Sequence, residues 1–378
     1  MPRRKLSKIC FFGGFDRGYP RSDLLRKGLG KLGVDVCLCH VSPKSRLVKR
    51  YAILAIRYLR MKRDFKVIFV PEFRHKDVPL AYLLGKLTGK HIVFDPLVSR
   101  FDTKIKDRQD ASEGSLQAWH NRNLDRLSLT LSDLVLADTQ AHADYYIKEY
   151  RVAADKLRVL PVGFDEEVFL LNGRRTEEEH RRRPFRVLFF GNYLPLHGVD
   201  VIVMAAKLLR NIGDLEFVLI GRGQTFELVE RFVKKEGLEN VRLLDRVPMS
   251  SLTQYLREAD VSLGVFGRTE KTQRVVANKI YQSMAVGKTV ITSDSAAIRE
   301  FFTNDENISL VPQADAEALA RKIRFFYERP QHLTTIGRQA ACLVHENYSA
   351  VAIGRMFIAH CDQVLSPQTR LKSGFGKA

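Results

Sequence analysis

The chain alternates two kinds of hydrophobic pattern. Short continuous apolar runs at Ile9–Phe12 (ICFF), Val34–His40, Lys66–Pro71 (KVIFVP), His91–Asp95 (HIVFD), Leu134–Asp138 (LVLAD) and Leu157–Val162 have the length and side-chain types of buried strands. Between them, apolar residues recur at helical spacing, as in Asp23–Leu32, Val78–Leu87 and the segment ADTQAHADYYIKEY. At Asn172–Pro184 (NGRRTEEEHRRRP) the pattern stops; this charged stretch, almost without apolar residues, reads as a linker. The alternation restarts with Phe185–Phe190 (FRVLFF) and continues through EFVLIGRG, Val241–Leu244 and Val261–Phe266, while the tail from Asp315 is helical. Two blocks of strand–helix repeats predict two α/β domains built on doubly wound parallel sheets.

The stretch Asn278–Asp294 (NKIYQSMAVGKTVITSD) is the most informative unit. Ile280, Met284 and Ala285 share a helix face, Gly287 suits the helix end, and Thr289–Thr292 is a β-branched strand. Asp294 or Ser295 is placed to cap the next helix. The preceding loop GRTEKTQR and the first helical turn, with Asn278 and Lys279, fall at a strand's carboxyl end, where open α/β sheets bind ligands and free N–H groups attract anions. The turn after Phe190 offers a second such place, bracketed by Gly191 and Gly198 and carrying Asn192 and His197. In the first block, the glycine-rich turn after ICFF brings Gly14 and Asp16 to the same kind of position. Asp95 and Asp102 flank the loop DPLVSRFD after a strand; they are candidates for holding a hydroxyl or accepting its proton, against the plainer role of capping the loop. Trp119 and His120 read as packing or polar-face residues of a helix.

Charge changes the picture. The net charge is +19, yet residues 1–66 alone hold 18 Lys/Arg against four Asp/Glu, a net of +14. Lys44–Arg63 has eight basic residues, no acidic one, and several Leu, Ile and Tyr, the composition of a helix lying on an anionic membrane surface; a half-buried helix with extended basic stems is the alternative. No nucleic-acid-binding motif is visible, so nucleic acid is set aside as a partner. No apolar run is long enough to span a bilayer. The five cysteines (Cys10, Cys37, Cys39, Cys342, Cys361) lack metal-site spacing, and Cys37 and Cys39 alternate on one strand face, so a cytoplasmic chain with reduced thiols is expected.

The phrase KIYQSMAVGKTVI resembles the nucleotide-sugar signature of family 4 of retaining glycosyltransferases, with Lys279, Ile280, Met284, Ala285, Gly287, Lys288, Val290 and Ile291 in matching places. Gln282 stands where that family has a ribose-binding Glu, Thr289 replaces a Pro, and the family's earlier Glu falls on Arg274. KLRVLPVGFDEEVF resembles the family phrase that closes the first domain, with Val162 in place of Asn, and the family's Arg and Lys in the turn after the first strand of the second domain correspond to Asn192 and His197. Gly221-Arg222-Gly223 resembles its G-x-G turn, and VPMSSLTQYLREADV is similar to a further family phrase. A histidine common in the family's loop after the fourth strand has no counterpart in DPLVSRFD.

The resemblance implies a GT-B fold: two Rossmann-like doubly wound domains facing across a cleft. The expected parts are an acceptor-side domain 1–170, a linker 171–184 and a nucleotide-sugar domain 185–350, with the helix at about 351–378 returning to the first. It implies sugar transfer from a nucleotide sugar to a glycan or lipid-linked acceptor, with retention, no metal and no further cofactor. Lys279 and Arg274 would steady the leaving diphosphate, Arg222, Asn192, His197 and Asn278 would assist, Gln282 would meet the ribose, and Gly14 and Asp16 would touch donor or acceptor. Peripheral attachment to the cytosolic membrane face follows if the acceptor is a lipid. Because both glutamates and both cations are replaced, a non-catalytic nucleotide- or glycan-binding partner of a glycan-assembly complex stands as the alternative. Epimerisation on the same fold would require an acidic cluster that the sequence does not display.

Overall fold

The computed structural model describes residues 6–170 and 183–366. Of the expected linker 171–184, all but Arg183 and Pro184 lies outside the described residues. The chain divides into two compact units, Met1–Pro161 with Ala350–Ala378, and Val162–Ser349.

Among the described residues the first unit holds six parallel strands: β1 (Lys8–Gly13), β2 (Asp35–His40), β3 (Val67–Val70), β4 (His91–Phe94), β5 (Leu134–Ala137) and β6 (Leu157–Val159), in the order β2-β1-β3-β4-β5-β6. The helices are α1 (Pro20–Lys31), α2 (Leu47–Arg60), α3 (Val78–Thr88), α4 (Leu116–Leu131), α5 (Gln140–Tyr150) and, from the end of the chain, α13 (Ala350–Val364). The strands are buried apolar runs because helices cover both faces of the sheet. α13 packs on this unit, its Phe357 ring meeting Phe69 of β3 at 5.3 Å. The helix predicted after Ser22 starts earlier: Pro20, with φ already fixed and no N–H to satisfy, occupies the first turn. Ser22 therefore lies inside α1 and donates its hydroxyl to Glu72 at 2.8 Å.

The loop after β4 is also more ordered than its sequence suggests, ending in a π-helical turn at Asp102–Asp107. The segment leading into it is held by Asp125 of α4, a buried carboxylate that accepts from Ser99 Oγ (2.8 Å), Tyr150 OH (3.0 Å), Arg100 N (3.0 Å) and Phe101 N (2.9 Å). Cys39 is buried and Cys37 half-buried, and the cysteines are free thiols.

The second unit repeats the plan with β7 (Phe185–Phe190), β8 (Leu215–Ile220), β9 (Val241–Leu244), β10 (Val261–Leu263), β11 (Thr289–Ser293) and β12 (Ser309–Val311), in the order β12-β11-β10-β7-β8-β9. Its helices are α6 (Val199–Leu208), α7 (Phe226–Glu236), α8 (Met249–Glu258), α9 (Asn278–Ala285), α10 (Ala296–Arg299), α11 (Ala316–Glu328) and α12 (Gln331–Asn347). Ser295 rather than Asp294 caps α10, accepting from Ile298 N, while Asp294 pairs with Arg299. Strand order reverses between β1 and β3 in one sheet and between β7 and β10 in the other, and the carboxyl ends of those strands are where such sheets take ligands.

Candidate functional site

At the reversal of the second sheet three loops interlock. A Cβ added at Gly221, after β8, would overlap the carbonyl oxygen of Gly191, after β7, and φ +134° there suits only glycine. A Cβ at Gly198 would overlap the backbone of Phe266 and Gly267, after β10. The chain gives up side chains at these positions so that three turns lie backbone to backbone at one edge.

Lys279, in the first turn of α9, reaches into this edge. Its ammonium lies 3.8 Å from the centre of the Phe189 ring and within 3.0 Å of where a Cβ on Gly191 would stand. The residue is 5% exposed, and the Nζ has no hydrogen-bond partner among the described residues. Burial without a counter-charge pushes its pKa well below the usual lysine value. A buried amine with no partner, next to three turns rich in backbone N–H groups, is arranged to receive an anion.

The other predicted residues of this unit divide into two groups. His197 bonds the carbonyl of Asn192 through Nδ1 and lies beside Gly191, and the Asn192 side-chain oxygen accepts from Arg246 at 3.0 Å. Gln282 follows Asn278 by one helical turn and is buried beside Lys279 in α9. Gly191, Asn192, His197, Gly198, Asn278, Lys279 and Gln282 thus belong to the edge where β7 and β10 end. Arg222 instead stacks 3.9 Å over Phe226 and pairs with Asp245 at 3.3 Å, and Arg274 pairs with Glu270 at 3.4 Å. Sequence reasoning passed over Arg246, which sits after β9, outside any phrase that signals a ligand.

In the first unit the glycine turn is already engaged. Gly14 N donates to Asp77 Oδ2 at 2.8 Å, and Asp77 Oδ1 pairs with Arg50 of α2 at 2.8 Å. Asp16 is exposed and accepts from Gly18 N. Asp95 is buried against Arg21, whose Nε lies 2.5 Å away, while the same guanidinium donates to the carbonyls of Leu160 and Pro161. Asp102 is buried at the head of the π-helical turn, its N–H held by Ser99 Oγ. Glu72, which carried no sequence signal, is 2% exposed; burial and then the Asp95 charge push its carboxyl up to about 7. Among the described residues no group of three or more His, Cys, Asp or Glu is placed to hold a metal ion.

Residues 184–329 match the family model described as Glycosyl transferases group 1. The chain is 27% identical over 170 residues to the amylovoran biosynthesis glycosyltransferase AmsK of Erwinia amylovora, covering 44% of this chain and 41% of that one. It is 28% identical over 265 residues to the phosphatidyl-myo-inositol mannosyltransferase of Mycolicibacterium smegmatis, covering 68% and 61%. These matches span less than two thirds of either relative. Among solved structures, Anabaena HepE in complex with UDP and glucose superposes with a TM-score of 0.70 at 15% identity, over 94% of this chain and 100% of that one. The fold is GT-B: two Rossmann-like α/β units on parallel six-stranded sheets.

Proposed function

We propose that this protein is a glycosyltransferase that moves a sugar from a nucleotide-sugar donor to a glycan or lipid-linked acceptor, with retention of configuration and without a metal ion. The observation that carries the reading is the buried, partnerless ammonium of Lys279 at the reversal point of the second sheet. The match to the group 1 model covers residues 184–329 of that unit, Lys279 among them, and a solved structure of the same fold, Anabaena HepE, is a complex with UDP and glucose. In this reading the nucleotide diphosphate lies over the interlocked turns. Lys279 supplies the charge that steadies the departing diphosphate as the bond from the sugar's anomeric carbon breaks; Asn192 and His197 assist from the same edge, Gln282 takes the ribose hydroxyls, and Arg222 and Arg274 would join only by leaving Asp245 and Glu270. Gly14 and Asp16 contact the acceptor side.

The acceptor reading draws support from the two relatives, one named for amylovoran biosynthesis and one for phosphatidyl-myo-inositol. It also draws on α2. Leu54 and Tyr58 are buried in the core while Val48, Ile56 and Leu59 are exposed between Lys49, Arg57 and Arg60. That apolar stripe within basic residues suits peripheral attachment to an anionic, cytosolic membrane surface through residues 44–63. No described helix is long and apolar enough to cross a membrane. Retention of the protein by anionic vesicles at low salt, lost when Val48 and Ile56 are changed to Ser, is expected; absence of retention would remove this part of the reading.

Thermal stabilisation by UDP-, GDP-, ADP- and dTDP-sugars tests the donor site. A shift with one base, abolished by Lys279→Ala in a folded protein, is the expected result. The replacement of both usual glutamates, by Gln282 and Arg274, favours a second reading as a non-catalytic partner, which predicts donor binding without turnover.

A further inference from the structure

The carboxyl edge of the first sheet gathers cations that the donor site does not use. The 3-10 turn His75–Asp77 after β3 and the segment Ser99–Phe101 after β4 are drawn to one carboxylate: Asp125 Oδ1 lies 3.2 Å from His75 Nε2 and accepts from Arg100 N. Arg74 and Lys76 flank His75, and Arg100 and Lys104 lie one turn apart at the start of the π-helical turn. Arg74 reaches back to donate to the carbonyl of Gly14, and Tyr51 of α2 bonds the carbonyl of Lys76, so the ends of β1, β3 and β4 and the start of α2 meet here.

Among the described residues Arg74, Lys76, Arg100 and Lys104 form no ion pair. Asp77 is committed to Arg50 and Gly14 N, Asp125 to its four donors, and Asp102 and Asp107 are buried. Arg74 Nε is buried without a partner. The crowding is felt: burial and then the charges of Arg100, Arg50 and Lys104 lower the pKa of the Lys76 ammonium, and burial lowers that of Arg74 and Arg100. Asp77 and Glu72 offset part of the charge on Arg74, and Asp125 part of that on Arg100, whose Nε donates to Asn121 Oδ1 at 3.1 Å. Four cations without an ion pair among the described residues remain in excess of these carboxylates, and forked guanidinium groups suit phosphate oxygens.

We propose that this edge is a phosphate-recognition site of the acceptor, with Arg74 and Arg100 gripping a phosphate or diphosphate and Lys76 and Lys104 closing around it. The assignment rests on the reading of the first unit as the acceptor side. It narrows the acceptor to one carrying a phosphate, whether as a lipid headgroup or as a soluble sugar phosphate.

The test titrates inorganic pyrophosphate into the full chain saturated with UDP, by calorimetry at constant ionic strength. Binding is expected, weakened about tenfold in Arg74→Gln/Arg100→Gln, with UDP affinity unchanged. Lys76→Gln/Lys104→Gln, which alters side chains at the rim, should weaken it in the same direction and guards against a folding defect in the first variant. Equal pyrophosphate affinity in wild type and both variants, or binding no stronger than that of chloride, would overturn the proposal. Running the titration in Lys279→Ala without UDP separates the two readings, since failure of UDP binding counts only against the donor site. Retention by phosphatidylcholine vesicles containing phosphatidic acid, but not by phosphatidylcholine alone, and lost in the arginine variant, assigns the phosphate to a lipid. Pyrophosphate binding without such retention assigns it to a soluble acceptor.

Discussion

In the first unit the turn after β1 meets Asp77; in the second the turn after β7 meets Lys279. Both turns stand where their sheet reverses, and both follow a central strand that ends in glycine or runs into one. In the first, the protein supplies its own anion, a buried carboxylate that satisfies Gly14 N and pairs with Arg50, and cations without an ion pair among the described residues lie beside it. In the second, the buried charge has no internal partner, so the folded chain carries a desolvated amine that a ligand would relieve. One topology thus serves two ends: a buried charge completed within the chain holds structure, and one left incomplete marks a binding place.

The sharpest break in that comparison comes from Asp77→Ala. It strips Arg50 of its buried partner and should cost about 3–5 kcal/mol of stability in chemical denaturation, with UDP affinity unchanged once folded. Lys279→Ala should do the reverse: lose about 2–5 kcal/mol of UDP binding while leaving the melting temperature equal or higher. Equal loss of stability and binding in either variant would erase the distinction drawn here.

Glu72→Gln refines the comparison within the first unit. Its carboxyl rises from an ordinary 4.5 to about 7, so the native state holds the proton more tightly than the unfolded chain and stability falls as pH rises across that window. The variant should flatten that fall and gain up to about 3 kcal/mol at pH 8, read from denaturation midpoints at several pH values. The smallest effect concerns Lys279 itself. Burial lowers its pKa in the free protein and a bound diphosphate would raise it, so donor binding takes up a proton at any pH between the two values. UDP affinity should therefore fall with rising pH, by at most about tenfold per unit, and Lys279→Arg should level the slope.

The fold was legible because both blocks of strands are buried on two faces and read as continuous apolar runs, with the restart at Phe185 separating them. The turn bracketed by Gly191 and Gly198 was legible because the chain there takes φ values that suit glycine, and the helix that carries Lys279 was legible from its apolar face. The pairing of Arg222 with Asp245 and of Asp95 with Arg21 was not, because these contacts join segments far apart in sequence and no local pattern specifies them. Glu72 and Arg246 were silent for a related reason: a single charged residue after a strand looks the same whether it ends in water or under a loop. The segment that leads into the π-helical turn at Asp102–Asp107 is held by Asp125, on a later helix, a contact that no reading of its own residues would give.

The return of α13 to the first unit has a consequence for how the chain comes to be folded. The first unit is discontinuous: it is interrupted at Pro161 and resumed at Ala350, with Phe164 and Ser349 of the intervening unit paired as neighbours. During synthesis the second unit can close on its own residues as soon as Ser349 has emerged, but the earlier one must wait for a segment made after it. Until then the ground that Phe357 will cover at Phe69 stays bare, so the half of the molecule made first is the half finished last.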